Sequence, residues 1–529
     1  MAILTRQDNK NKLDLTINQI KESANTAGAN NLHFIGLGGF SAFTDENTPP
    51  IETIDDESSH NKIHRELILG QMINSGDVTR VVRRYNWASG TKYAQYADDN
   101  ASAFSNNNGF YVHTDEGNVY KCLDNAYGSP STVQPTGTSN TPFYTGDDNT
   151  PGGNKGYKWK YMYNVSAANL ASFGTTDYIP IEEDSTVVES AISGTLERIE
   201  LTSNGTQYTA YANGTIGNVT NTTNFAINVT IPSTLAVNDS FVNNAIHFTS
   251  GALEGSVGII AGYNATTKTI TLSNNALNMS NASHNGLSFR ILPQVIIAGT
   301  GSGAKAVAVV NASSNTINYV EVLSTGNSYT QATVSIVSNT SFVGSNATAK
   351  AILSPKGGHG SDQYAELGAE HYEIYKEFDG TASGSLQVGF KYRTVSLLKN
   401  ILMPGTTTKF SNQVFTAAAN FGVTKLDPGL TDSFTVGDHI QWSSGNGSVI
   451  FANTTYVSIA NTLGTITTGD TLSTANVSLS GKYAINTTVS VANSGDIEPF
   501  SGDVMYYQNA TAVTRASDQK ESIRIIVKV

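Results

Sequence analysis

The segment FAINVTIP (residues 225–232) alternates apolar and polar side chains, and KTITL (residues 268–272) does the same. A strand points successive side chains to opposite faces, so period-two alternation marks a strand with one buried face. Asn and Gly interrupt the runs at short intervals, as turns between antiparallel strands require. This texture fills residues 189–353. It returns in residues 406–496 with FTVGDHIQW (434–442) and GDTL (469–472).

The rest of the chain reads differently. Residues 1–188 carry more aromatic and charged side chains, with a helix expected near residues 13–23 and a strand at LHFIGL (32–37). Residues 354–405 resume that texture with YEIYKEF (372–378), and residues 497–529 close on the strand IRIIVKV (523–529). The expected fold is mainly β with some α, a framework in three pieces (1–188, 354–405, 497–529) carrying two inserted small β domains. Insertions of this kind are tolerated at exposed loop tips. At 529 residues, two to four domains are expected.

An internal repeat marks the first insertion. GTLERIELTSNGTQYT (194–209) matches NTINYVEVLSTGNSYT (315–330), with Ile199 over Val320, Gly205 over Gly326 and Tyr208 over Tyr329. Each copy reads as a strand, a Gly turn and a Tyr-Thr start to the next strand. One pair of copies is too few for a solenoid, so a duplicated hairpin is expected.

Charge and cysteine content exclude several function classes. Only 14% of residues are charged, the net charge is −12, and no basic run occurs, which argues against a nucleic-acid surface. Cys122 is the single cysteine, so neither a disulfide framework nor a cysteine zinc cluster is available. The first apolar run is too short for a secretory leader, and no segment reaches the ~18 apolar residues of a membrane span. The Asn-x-Ser/Thr triplets are accordingly read as strand and turn composition.

Motifs with apparent chemistry reduce to turns. Gly36, Gly38 and Gly39 follow a strand, but Ser41 stands where a dinucleotide fingerprint needs its third Gly. GTGSGAKA (299–306) lacks the Lys-Ser/Thr ending of a phosphate loop, and AVAVV (306–310) after it alternates as a strand. Asp98 and Asp99, and Asp147 and Asp148, lack the twelve-residue spacing of a calcium loop. No nucleophile elbow and no HExxH motif occur. A carboxylate pair for glycoside cleavage converges only in space and stays open here.

The strongest remaining candidate is KGGHGSD (356–362), followed by Glu366, Glu370 and His371. These side chains are metal-ligand types, but twelve residues between the histidines is not a compact ligand spacing. Gly357, Gly358 and Gly360 around His359 instead indicate a sharp turn. It lies where the first β block ends, so a structural junction loop is expected, with His359 buried or capping. No catalytic, metal or cofactor site is expected.

Several segments, in order, resemble the dimeric baseplate wedge subunit of contractile-tailed phages of the T-even type and its larger cyanophage relatives. They are LHFIG (32–36), DENTPP (45–50), IDDE (54–57), VRRYNW (82–87), GTKY (90–93), VYKCLD (119–124), GYKWKYMY (156–163) and DYIPI (177–181). YRTVSLL (392–398), GDVMYY (502–507) and the pair Asp518 and Gln519 complete the series. The two β blocks and KGGHGSD fall outside the shorter pattern. The resemblance implies a β-sandwich framework with flanking helices and loops, no enzyme activity, a homodimer, and partners among the other baseplate wedge proteins. It also implies a place in the virion tail, assembled in the host cytoplasm. Arg83, Arg84 and Trp87 are residue types that anchor protein interfaces, and equally types that pack and pair inside a chain. A receptor-binding or glycan-degrading tail fibre or spike is the alternative the Asn/Thr-rich β blocks suggest.

Overall fold

The alternation that starts at Phe225 becomes sheet as far as Asn228, and residues 229–232 leave it. In the strand Asn224–Asn228, Phe225 and Ile227 are buried and the residues beside them are not. The computed structural model describes residues 6–22, 31–51, 55–99, 109–146, 156–273, 277, 279, 282–379, 391–486, 495–516 and 518–529. The fold is mainly β with a few helices, arranged in several sheets and two closed barrels. Among the described residues, no helix is long and apolar enough to cross a membrane. The chain divides into two compact units, one of residues 1–81, 171–174 and 370–529, the other of residues 82–170 and 175–369. Residues 82–170 therefore share a unit with the block 189–353.

The second unit holds the repeat and the first barrel. Six strands, Ala212–Val219, Asn224–Asn228, Thr269–Leu272, Val257–Asn264, Asn244–Phe248 and Ser288–Gly299, form a ring that closes when the last pairs back with the first. Closure leaves no unpaired edge, and the inward side chains Phe225, Phe241, Phe248, Phe289 and Ile291 fill the interior. Each such side chain stabilises the fold by roughly 1.5–3 kcal/mol through burial. The twelve-residue strand Ser288–Gly299 outruns the barrel, and its far half pairs with Ala332–Val337. The sheet continues through Thr348–Leu353 to Leu196–Ser203, and the ribbon Ser302–Asn311 with Thr316–Asn327 joins it.

The sequence repeat is a local two-fold. Leu196–Ser203 pairs with Thr348–Leu353 as Thr316–Asn327 pairs with Ser302–Asn311. The equivalent amides of Tyr208 and Tyr329 donate to the equivalent carbonyls of Asn315 and Gly194, at 2.8 and 3.0 Å. Gly205 and Gly326 both have positive φ, 61° and 57°. The repeated unit is not a hairpin with its successor: neither repeated strand pairs with the strand that follows it, Leu196–Ser203 pairing instead with Thr348–Leu353 and Thr316–Asn327 with the strand before it. Ser302–Asn311 also disposes of the phosphate-loop likeness, since a paired strand follows those glycines where a phosphate site needs a helix N-terminus.

A four-stranded sheet completes this unit, in the order Tyr111–His113, Asn118–Asp124, Lys158–Asn164, Phe143–Tyr144. Its core includes Trp159, Tyr120, Tyr161 and Cys122. Burial pushes the Cys122 thiol well above its ordinary pKa, so it acts as a small apolar group.

The first unit contains a five-stranded sheet, ordered Val414–Thr416, Leu67–Met72, His33–Gly38, Lys391–Lys399, Asp503–Thr514. Gly36 and Gly38 lie in its central strand, paired on both sides, and no helix opens there. The strands Lys520–Lys528 and His371–Asp379 belong to a separate sheet and pair antiparallel along nine residues. The second barrel is Ala418–Lys425, Tyr456–Leu463, Gly445–Ala452, His439–Trp442, Thr471–Thr474, Tyr483–Ile485. The helix Arg6–Glu22 starts before residue 13, where the apolar signal begins. Only Leu13, Ile17 and Ile20, spaced for one helical face, are buried, so its first turns carry no hydrophobic pattern to read.

Candidate functional site

The strand Thr348–Leu353 is followed by Pro355, and the KGGHGSD turn leads the chain into the short helix Gln363–Leu367. Gly357, Gly358 and Gly360 have φ of 90°, 97° and 91°, a region L side chains avoid. Space excludes other residues too. A Cβ at Gly358 would lie 2.4 Å from the Ile192 carbonyl oxygen, and one at Gly360 would lie 2.5 Å from a Val187 methyl. Asp362 caps the helix by accepting from the Ala365 amide at 3.0 Å.

The turn drives His359 into the interior, 6% exposed, where it meets Lys121 from Asn118–Asp124. Lys121 Nζ donates to Glu366 Oε2 at 2.7 Å and to His359 Nδ1 at 3.0 Å. An ammonium only donates, so Nδ1 accepts and the ring proton sits on Nε2. Nε2 faces Glu197 Oε1 at 3.5 Å, longer than a hydrogen bond. Glu197 accepts from Thr195 Oγ1 at 2.5 Å and from Lys158 Nζ at 3.4 Å. Glu366 Oε1 accepts from the Gly360 amide at 2.7 Å. Tyr96 roofs the group, its ring 4.2 Å from the Lys121 ammonium and edge-on to His359 at 4.7 Å.

Two ammonium groups and two carboxylates balance, so the imidazole is best left neutral. Burial, then the Lys121 charge, lowers the His359 pKa below its ordinary value near 6.5. Burial by itself would raise Glu366, but Lys121 and His359 outweigh it and hold the carboxyl down at about 2. Burial likewise opposes ionisation of Glu197, and His359, Lys158 and Thr195 more than offset it, so its pKa is lowered. The pairs are closed to solvent, with Lys121 and Glu366 side chains at 0% and 5% exposure.

Of the residues clustered in sequence, the structure brings together His359 and Glu366 alone. Glu370 and His371 belong to the other compact unit. Among the described residues, no group of three or more His, Cys, Asp or Glu is placed to hold a metal ion. Asp99 pairs with Lys350 Nζ at 2.9 Å and Asp98 accepts from the Leu353 amide at 3.2 Å, while Asp147 and Asp148 lie outside the described residues. Lys121, Glu197, Lys158 and Tyr96 were not singled out from sequence as site residues. A Lys inside the apolar run VYKCL was the available signal, since a lone charge on a buried strand needs a partner.

Arg83, Arg84 and Trp87 lie together at the start of the second unit. Arg84 donates to Asn86 Oδ1 at 2.9 Å and to the Thr175 carbonyl at 3.0 Å. The Arg83 guanidinium stands over the Tyr178 ring at 5.2 Å, and Arg83 is exposed. Trp87 is half-buried against the Trp159 core and donates to Ser131 Oγ at 3.0 Å.

Compared with known proteins, the chain matches no family model and no curated sequence significantly.

Proposed function

We propose that the chain is a structural subunit of a phage tail baseplate wedge, a homodimer that links neighbouring wedge proteins and shifts between packed states on contraction. The ordered series of segments from LHFIG to Asp518 and Gln519 carries this reading. The His359 cluster is consistent with it: the side chains that most suggest chemistry spend their charges on one another, in a closed space. Residues 189–353 and 406–496 are then modules added to a framework. Arg83 and the outer face of Trp87 are the surface offered to a partner.

Native mass spectrometry of the full chain tests the oligomer, with a dimer expected and a trimer contradicting the reading. Co-assembly with the other wedge proteins tests the partner. Trp87→Ala is expected to weaken assembly about ten-fold or more while the chain stays folded. Unfolding of the isolated variant would assign Trp87 to the core instead. A receptor-binding or glycan-degrading tail protein is the second reading, favoured by the Asn/Thr-rich β modules; a trimer together with release of reducing sugar from host polysaccharide would establish it.

A further inference from the structure

Outside the sealed cluster, the second unit carries an open cleft of different character. Its larger hollow has a volume of about 410 Å³ and a smaller one of about 90 Å³ adjoins it. Tyr127, Tyr319, Asp124 and Arg198 line both. We propose that this cleft binds an uncharged oligosaccharide, with the Tyr127 and Tyr319 rings as its stacking platform. The inference goes beyond the assembly reading and does not depend on it.

Tyr127 is 68% exposed, and its ring centroid lies 5.7 Å from that of Tyr319. Ala126 and Tyr127 are consecutive non-glycine residues with positive φ, 53° and 59°. Such backbone persists only where the surroundings fix it. Here the Asn125 side chain accepts from the Gly128 amide at 3.0 Å and donates to the Tyr93 carbonyl at 3.2 Å. Asp124 Oδ1 accepts from the Ala126 amide at 2.9 Å, and Gln95 Oε1 accepts from the Asn125 amide at 3.1 Å. A mostly exposed aromatic ring is thus set beside Tyr319 by a fixed backbone. An aromatic face offered to water is a preformed surface for the C–H face of a sugar ring.

The walls set the ligand class. Asn204 and Asn318 supply planar amides, which bridge neighbouring hydroxyls. Tyr319 presents its ring to both hollows, while its hydroxyl is enclosed. Arg198, the one basic residue lining either hollow among the described residues, is already spent. Its Nη1 donates to the carbonyls of Leu123, at 2.8 Å, and Tyr96, and its Nε donates to Glu200 at 2.9 Å. With Asp124, Glu200 and Glu321 also on the walls, an anionic ligand meets like charge and, among the described residues, no free cation.

Saturation-transfer NMR of the full chain with cellotriose, maltotriose, mannotriose and triacetylchitotriose is the test, with trigalacturonate as the anionic control. Transfer is expected from at least one neutral trisaccharide and not from trigalacturonate. Tyr127→Ala is expected to weaken binding about ten-fold or more, and Tyr319→Phe, which keeps the ring, only a few-fold. Unchanged circular dichroism of both variants secures the comparison. Silence from all four neutral sugars, equal binding of trigalacturonate, or undiminished binding by Tyr127→Ala would overturn the proposal.

Discussion

The His359 cluster and the Tyr127 cleft draw on the same two strands, Asn118–Asp124 and Leu196–Ser203, and treat charge in opposite ways. Lys121 and Glu366 lie closed off, matched to each other, and Glu197, paired with Lys158, stands between the cluster and the smaller hollow. Asp124, Arg198 and Glu200, a few residues further along those strands, line an open hollow beside an exposed ring. Buried charges must be satisfied within the chain, because an unpaired ion in the interior is costly. In the cleft these charges pair among themselves, and the exposed ring of Tyr127 is what stays available to a ligand. Mutation is therefore expected to read as stability in the cluster and as binding in the cleft.

The largest effect tests the sealed side. Lys121→Met leaves Glu366 buried without its cation and is expected to destabilise the chain by about 3–5 kcal/mol in denaturant unfolding. Adding Glu366→Gln should recover part of that loss. A single variant as stable as the parent would mean that the pair is solvated after all.

Acid should act on the same side, in two stages. Unfolded His359 takes up a proton near its ordinary pKa of 6.5 while the folded ring resists, so stability begins to fall as pH drops below that value. Glu366 stays ionised in the fold down to about 2 but protonates near 4.5 when unfolded, so the loss continues from 4.5 towards 2. The Glu366 contribution is on the order of 3 kcal/mol. Thermal unfolding against pH checks it: His359→Gln should remove the upper stage and weaken the lower, since His359 shares with Lys121 in holding Glu366 down.

The smallest effect belongs to the open side. Tyr127→Gly relieves a positive φ and removes a mostly exposed ring, so stability should change by no more than about 1 kcal/mol, in the stabilising direction. A loss of several kcal/mol would show that Tyr127 is a packing residue and would erase the contrast between the two regions.

The two regions were unequally legible. KGGHGSD announced a turn because three glycines surround one residue, and their φ values are of the kind glycine is chosen for. What His359 turns towards was not legible, since Lys121 lies 238 residues earlier in the chain and Glu366 pairs with it across 245. Glu370 and His371, neighbours in sequence, fall in the other unit. The cleft left fainter marks. Tyr319 lies inside the repeat that sequence revealed, but Tyr127 stands in an ordinary loop, and nothing local shows that the two rings meet.

By itself, the sequence determined the strands, many of the turns and the repeat, because side-chain alternation and glycine placement act over a few residues. Tertiary structure alone decided which strands pair. It closed Ala212–Val219 onto Ser288–Gly299 to make a barrel, gave each repeated strand a partner other than its successor, and matched the charges around His359. The physical reason is common to all three: ladder hydrogen bonds and buried ion pairs are satisfied by whatever lies within about 3 Å, and chain order does not record that distance.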